Sequence, residues 1–142
     1  MVIDPIPAWA NEMLRTGRVA RLGLVDDDDR PRVLPVTFAL VGDVLYSAID
    51  QKPKRPGVEP ARVRYLRRRP EFALTVDHYE DDWSALAWVQ VLGRAEIVDP
   101  AADPAGLDAL VAKYAPYRSQ PPPGPLIRLT PERTLWWRAS GG

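Results

Sequence analysis

The chain has no cysteine, which removes disulfides, thiolate nucleophiles and sulfur-ligated metals from consideration. With a single histidine, a multi-histidine metal site is excluded as well, and no metal is expected. No apolar run approaches the roughly 20 residues of a membrane-spanning helix, and the N-terminus lacks the basic-then-apolar order of a secretory leader. A cytoplasmic protein with no membrane partner is therefore expected. Net charge is missing too, because 19 Lys and Arg offset 19 Asp and Glu. Three glycine signatures are absent: the dinucleotide Gly-x-Gly-x-x-Gly, the phosphate-loop Gly-x-x-x-x-Gly-Lys and the nucleophile-elbow Gly-x-Ser-x-Gly. If the chain is an enzyme, a bound organic cofactor must supply the reactive atom.

What the chain does have is a concentration of positive charge. Eight of its 19 basic residues fall between Lys52 and Arg69, with Glu59 the one acid among them. Pro53, Pro56 and Gly57 forbid regular structure in the first half of this stretch, and Glu59-Pro60 then opens a short helix that Pro70 closes. On that helix Val63 and Leu66 are the buried pair by spacing. Arg62 lies in the first turn, best placed for a site, while Arg64, Arg67 and Arg68 point toward solvent.

The remaining elements follow from periodicity. Asp4-Pro5 opens a first helix whose stripe is Trp9, Ala10, Met13 and Leu14 and whose stop is Gly17. Strands are expected over 19–25, 32–40, 44–49 and 72–79, with a long one over 85–98 that is bent or bulged at Gly93. Within 32–40, Leu34, Val36, Phe38 and Leu40 face one way, and Val33, Pro35, Thr37 and Ala39 the other. Pro35 cannot donate to a ladder, which marks an edge or an irregularity. Gly42-Asp43 turns a hairpin. Asp103-Pro104 starts a second amphipathic helix, residues 119–124 form a proline-rich loop, and a last strand is interrupted near Pro131. The hairpins imply antiparallel pairing, so the fold class is mainly β: a small barrel with peripheral helices, as one domain over residues 1–142.

The acid run Asp26 to Asp29 and the Asp81-Asp82 pair read as solvated turns, since neither has calcium-loop spacing. His78 ends an apolar strand face and reads as packed or hydrogen-bonded rather than catalytic. Lys52, Lys54, Arg55 and Arg62 are the candidate anion ligands, because a helix start also favours negative charge. Nucleic acid is a poor fit, as the acid runs and zero net charge oppose a long polyanion. A small, multiply anionic ligand fits better.

The run Arg30-Pro31-Arg32-Val33-Leu34-Pro35-Val36-Thr37-Phe38, the later Leu66-Arg67-Arg68-Arg69-Pro70, and the segment from Asp81-Asp82-Trp83 through Trp88 to Glu96 resemble, in that order, the pyridoxamine 5′-phosphate oxidase-like proteins. The likeness is strongest to the branch that uses coenzyme F420, a deazaflavin, in place of FMN. It implies an FMN-binding-like split β-barrel and a homodimer with cofactor sites at the subunit interface. It further implies a ring lying against Pro35, Val36 and Thr37, a phosphate held by Lys52 and Arg62 with Lys54 and Arg55 close by, and Trp88 and Gln90 contributed by the partner. Trp83 and Trp88 are candidates for a hydrophobic substrate wall, or alternatively for barrel or dimer packing. No catalytic residue is assigned; the proton could come from solvent, His78 or Tyr79. The implied activity is deazaflavin-dependent hydride transfer to a small electron-poor organic substrate. The alternatives are an FMN-dependent enzyme and a non-catalytic flavin or deazaflavin carrier.

Overall fold

Period-two burial governs the architecture. A computed structural model describes residues 5–49 and 59–139. Its elements are α1 (Ala8–Thr16), β1 (Ala20–Val25), β2 (Pro31–Val36), β3 (Ala39–Val41), β4 (Val44–Ser47), α2 (Ala61–Arg68), β5 (Glu71–His78), β6 (Ala87–Val98), α3 (Pro104–Lys113), α4 (Ala115–Ser119) and β7 (Leu126–Arg138). Ala20, Leu22 and Leu24 of β1, Phe72, Leu74 and Val76 of β5, and Val89 and Val91 of β6 all turn inward and are buried.

The strands form one seven-stranded sheet in the order β2-β1-β5-β6-β7-β4-β3, antiparallel at every pairing. β2 and β3 occupy opposite edges of that order, yet only Thr37 and Phe38 separate them along the chain. So short a link reaches roughly 10 Å at full extension, so the sheet must curl until its two edges approach each other. The result is a split β-barrel. Leu22, Leu45, Leu74, Val91 and Leu129 fill its interior, joined by Ala10 and Leu14 of α1 and Val63 and Leu66 of α2. Each fully buried leucine contributes roughly 1.5–3 kcal/mol. A smaller cluster beneath α3 gathers Ala39, Tyr46, Leu110, Tyr114 and Leu126.

Several expectations need correction. The alternation over 32–40 does not make one strand. It breaks at Thr37-Phe38, where the chain leaves one sheet edge for the other. α1 starts at Ala8 behind Pro7, and the expected cap Asp4 lies outside the described residues. α4 fills the stretch between the expected second helix and the proline-rich loop, where no element was expected, and takes in Ser119 at that loop's start. β7 runs uninterrupted past Pro131: Gly93 pairs with Pro131 and Leu92 with Arg133, leaving Glu132 as the extra residue. The bulge therefore belongs to β7. Gly93 faces it because a Cβ there would lie 2.0 Å from the Thr130 carbonyl oxygen.

Candidate functional site

β2 is an edge strand whose prolines decide what its free edge offers. Pro31 and Pro35 have no N–H, so their pairs with Val25 and Arg21 cannot be hydrogen-bonded pairs of the β1 ladder. The Asp26 N–H bond to the Arg30 carbonyl fits this alternation. Residues 31, 33 and 35 therefore direct their carbonyls away from β1, and Val33 alone of the three has an N–H to give. This edge accepts hydrogen bonds, and the prolines blunt it against pairing with a stray strand.

The link after β2 is tied down by side chains. The Thr37 carbonyl accepts from Ser47 Oγ at 2.7 Å. Phe38 donates its N–H to the Tyr114 hydroxyl at 3.1 Å, and its carbonyl accepts from Lys113 Nζ at 2.8 Å. Lys113 is half-buried over the Phe38 ring, and desolvation, helped by the Arg18 charge, lowers its pKa to about 8. Burial likewise raises the Tyr114 phenol above its ordinary value. Thr37 Oγ1 is 2.8 Å from the Tyr117 hydroxyl.

α2 supplies the charge. Arg64 pairs with Asp27 at 3.0 Å, Arg67 with Glu59 at 2.8 Å, and Arg68 and Arg69 with Asp29 at 2.8 and 3.1 Å. Arg68 also donates to the Asp26 carbonyl. Asp27 and Asp29 are thus counter-charges of the helix rather than freely solvated acids, and with the Asp26 carbonyl they tie α2 to the β1–β2 connection. The Asp26 carboxylate closes that connection by accepting from the N–H groups of Asp28 and Arg30, and the Arg30 bond is the main cause of its lowered pKa. Arg68 does the same for Asp29, whose carboxyl also lies below its usual range.

Arg62 differs from its neighbours. Among the described residues it has neither an ion-pair nor a hydrogen-bond partner. It is partly buried and lines a cavity of about 170 Å³ together with Val19, Pro35, Val36, Thr37 and Ala48. No side chain caps the start of α2 and no acid sits in its first turn, so its N-terminal dipole is not offset there.

Four of the residues singled out from sequence, Pro35, Val36, Thr37 and Arg62, therefore meet at one concavity. Lys52, Lys54 and Arg55 lie outside the described residues. Trp88 and Gln90 do not join the cavity within one chain. Pro35, Arg21, Thr75 and Gln90 form a row across neighbouring strands, which puts Gln90 roughly 14 Å from Pro35 on the same outer face. Trp88 shares that face opposite Trp137, and Trp83 sits 67% exposed on a short 3₁₀ turn before β6. His78 is not packed: its ring is exposed and hydrogen-bonded to Glu80. The cavity residues Val19 and Ala48, and Tyr117 behind Thr37, had no signal in the sequence, since an isolated valine, alanine or loop tyrosine carries no motif.

Residues 8–139 match the family model described as pyridoxamine 5′-phosphate oxidase. No curated protein sequence matches the chain. The fold recurs in solved structures of low identity. A conserved hypothetical protein from Mycobacterium tuberculosis is 19% identical with a TM-score of 0.74, over 96% of this chain and 87% of that one. An FAD-binding protein from Mesorhizobium loti is 21% identical with a TM-score of 0.68, over 96% and 97%. An F420 reductase is 22% identical with a TM-score of 0.65, over 92% and 98%. At such identities the likeness is one of fold.

Proposed function

Because the chain belongs to the pyridoxamine 5′-phosphate oxidase family, we propose that it is an oxidoreductase that uses the deazaflavin coenzyme F420 to reduce a small electron-poor organic substrate. One observation carries this reading: Arg62, the α2 arginine without a counter-ion among the described residues, faces Pro35, Val36 and Thr37 across a single cavity. A cation left without its anion beside a flat apolar wall suits a planar ring bearing a phosphate.

When bound, the reduced deazaflavin supplies a hydride from its ring carbon. Pro35 and Val36 would back the ring, with the outward carbonyl of Pro35 available as an acceptor, and Arg62 and the start of α2 would hold the phosphate. Lys52, only four residues beyond the cavity residue Ala48 in sequence, lies with Lys54 and Arg55 outside the described residues, and we assign their charges to the carboxylate tail. The ion pairs of Arg64, Arg67, Arg68 and Arg69 withdraw those residues from the count. Arg62 and its sequence neighbours Lys52, Lys54 and Arg55 are the cations we assign to the ligand, and four positive charges suit the longer anion of the deazaflavin better than the lone phosphate of FMN.

A cavity of about 170 Å³ is smaller than the roughly 300–1,000 Å³ of sites that enclose such ligands. A second copy of the chain would supply the missing wall, with Trp88 and Gln90 contributing to the cofactor site and Trp83 and Trp88 to the substrate side. The bound cofactor would supply the hydride, and water the proton that completes the reduction.

The test is to titrate the purified apoprotein with F420 and with FMN and to assay turnover of conjugated enones and quinones with reduced F420. Tighter F420 binding and steady turnover are expected. Tighter FMN binding would replace the cofactor, and binding without turnover of any acceptor would make the protein a carrier.

A further inference from the structure

The backbone of residues 37 and 38 is held by Ser47, Lys113 and Tyr114, which leaves the Thr37 hydroxyl free to rotate on a fixed stretch of cavity wall. Tyr117 of α4 reaches it at 2.8 Å. Its own ring is held edge-on against Tyr114, with centroids 5.6 Å apart. Tyr114 in turn is fixed at its hydroxyl by bonds with the Phe38 N–H and the carbonyls of Arg18 and Phe38. A rigid stack therefore ends on the Thr37 side chain.

A phenol, with a pKa of about 10, is a far better hydrogen-bond donor than an aliphatic alcohol. The Thr37–Tyr117 distance lets either hydroxyl donate; donor strength favours the phenol, and the threonine proton then points elsewhere. Thr37 lines the cavity, and among the described residues no other hydrogen bond engages its Oγ1.

We propose that Tyr117 is a positioning residue: by donating to Thr37 Oγ1 it turns the threonine proton into the cavity, where it is donated to an acceptor oxygen on the edge of the bound ring. This rests on the reading of the cavity as a flavin-type site and adds to it a polarity. Pro35 offers an acceptor and Thr37 a donor, so the ring is bound in one orientation. Only two hydrogen bonds are involved, and no covalent bond changes.

The experiment is a double-mutant cycle on the full chain, titrated with F420 and with FMN and read by dissociation constant and by the absorption maximum of the bound cofactor. Tyr117→Phe keeps the ring against Tyr114, and its melting temperature reports the fold independently. Tyr117→Phe and Thr37→Val should each weaken binding about three- to tenfold and shift the absorption maximum. In the Thr37→Val background Tyr117→Phe should add nothing, and Thr37→Ser should behave as the wild type. Equal losses from Tyr117→Phe in both backgrounds, or wild-type affinity and spectrum in Tyr117→Phe, would overturn the inference while leaving the cofactor reading intact. A wild type that binds neither cofactor would remove both.

Discussion

Lys113 holds a charge where the protein half-withdraws water from it, and the consequence is a measurable pH dependence. Its folded pKa of about 8 lies below the ordinary 10.5. Between those values the unfolded chain binds the proton and the folded chain does not, so stability from this group rises with pH across the window. Below pH 8 both states are protonated and the full cost of burying the charge is present. Relative to Lys113→Met, the wild type should gain stability from pH 8 to 10.5. Solvent reaches half of the side chain, so the gain is about 1 kcal/mol rather than the full shift. Urea unfolding of both proteins across this range measures it, and parallel curves would mean that Lys113 is hydrated in the fold. Tyr46 acts in the opposite sense at higher pH. Its phenol, buried and bonded to Asp103, is raised to about 12, so its contribution declines as pH climbs from 10 toward 12.

Among elements, β6 carries exposed aromatic surface on its outer face. Trp88 lies opposite Trp137, and both are substantially exposed, at 36% and 44%. Gln90 and Leu92 continue the same face. If a second copy covers it, Trp88→Arg should convert a dimer sedimenting at twice 15.9 kDa into a monomer and weaken cofactor binding at least tenfold. A wild type that sediments as a monomer would refute the shared site. The faces of β6 were legible because alternation and the small Gly93 are local signals. So was the edge position of β2, which Pro35 marks. The break at Thr37-Phe38 was hidden, since the apolar alternation continues through it with neither glycine nor proline to signal a change of edge. The pairing of Asp27 and Asp29 with α2 was hidden for another reason. Its partners stand some 40 residues apart, and charge alone does not say which acid meets which base. Tyr117 was missed because it falls between the last stripe residue of the second helix and the proline-rich loop at 119–124, where no periodicity marks an element.

For the molecule as a whole, zero net charge conceals an ordered division. The acids of the β1–β2 connection neutralise the exposed face of α2, and the curl of the sheet brings the end of β2 against the start of that helix. Arg62 is left facing the cavity while Arg68, two turns along the same helix, is committed to Asp29. One comparison tests this division most directly: the F420 dissociation constants of the wild type, Arg62→Ala and Arg68→Ala at fixed ionic strength. A charge-assisted hydrogen bond to phosphate is worth roughly 1.5–3 kcal/mol, so Arg62→Ala should weaken binding by about tenfold or more. Arg68→Ala should stay within about twofold of the wild type, because its charge is already engaged. Equal losses in the two variants, or none in Arg62→Ala, would contradict the account and place the anion elsewhere.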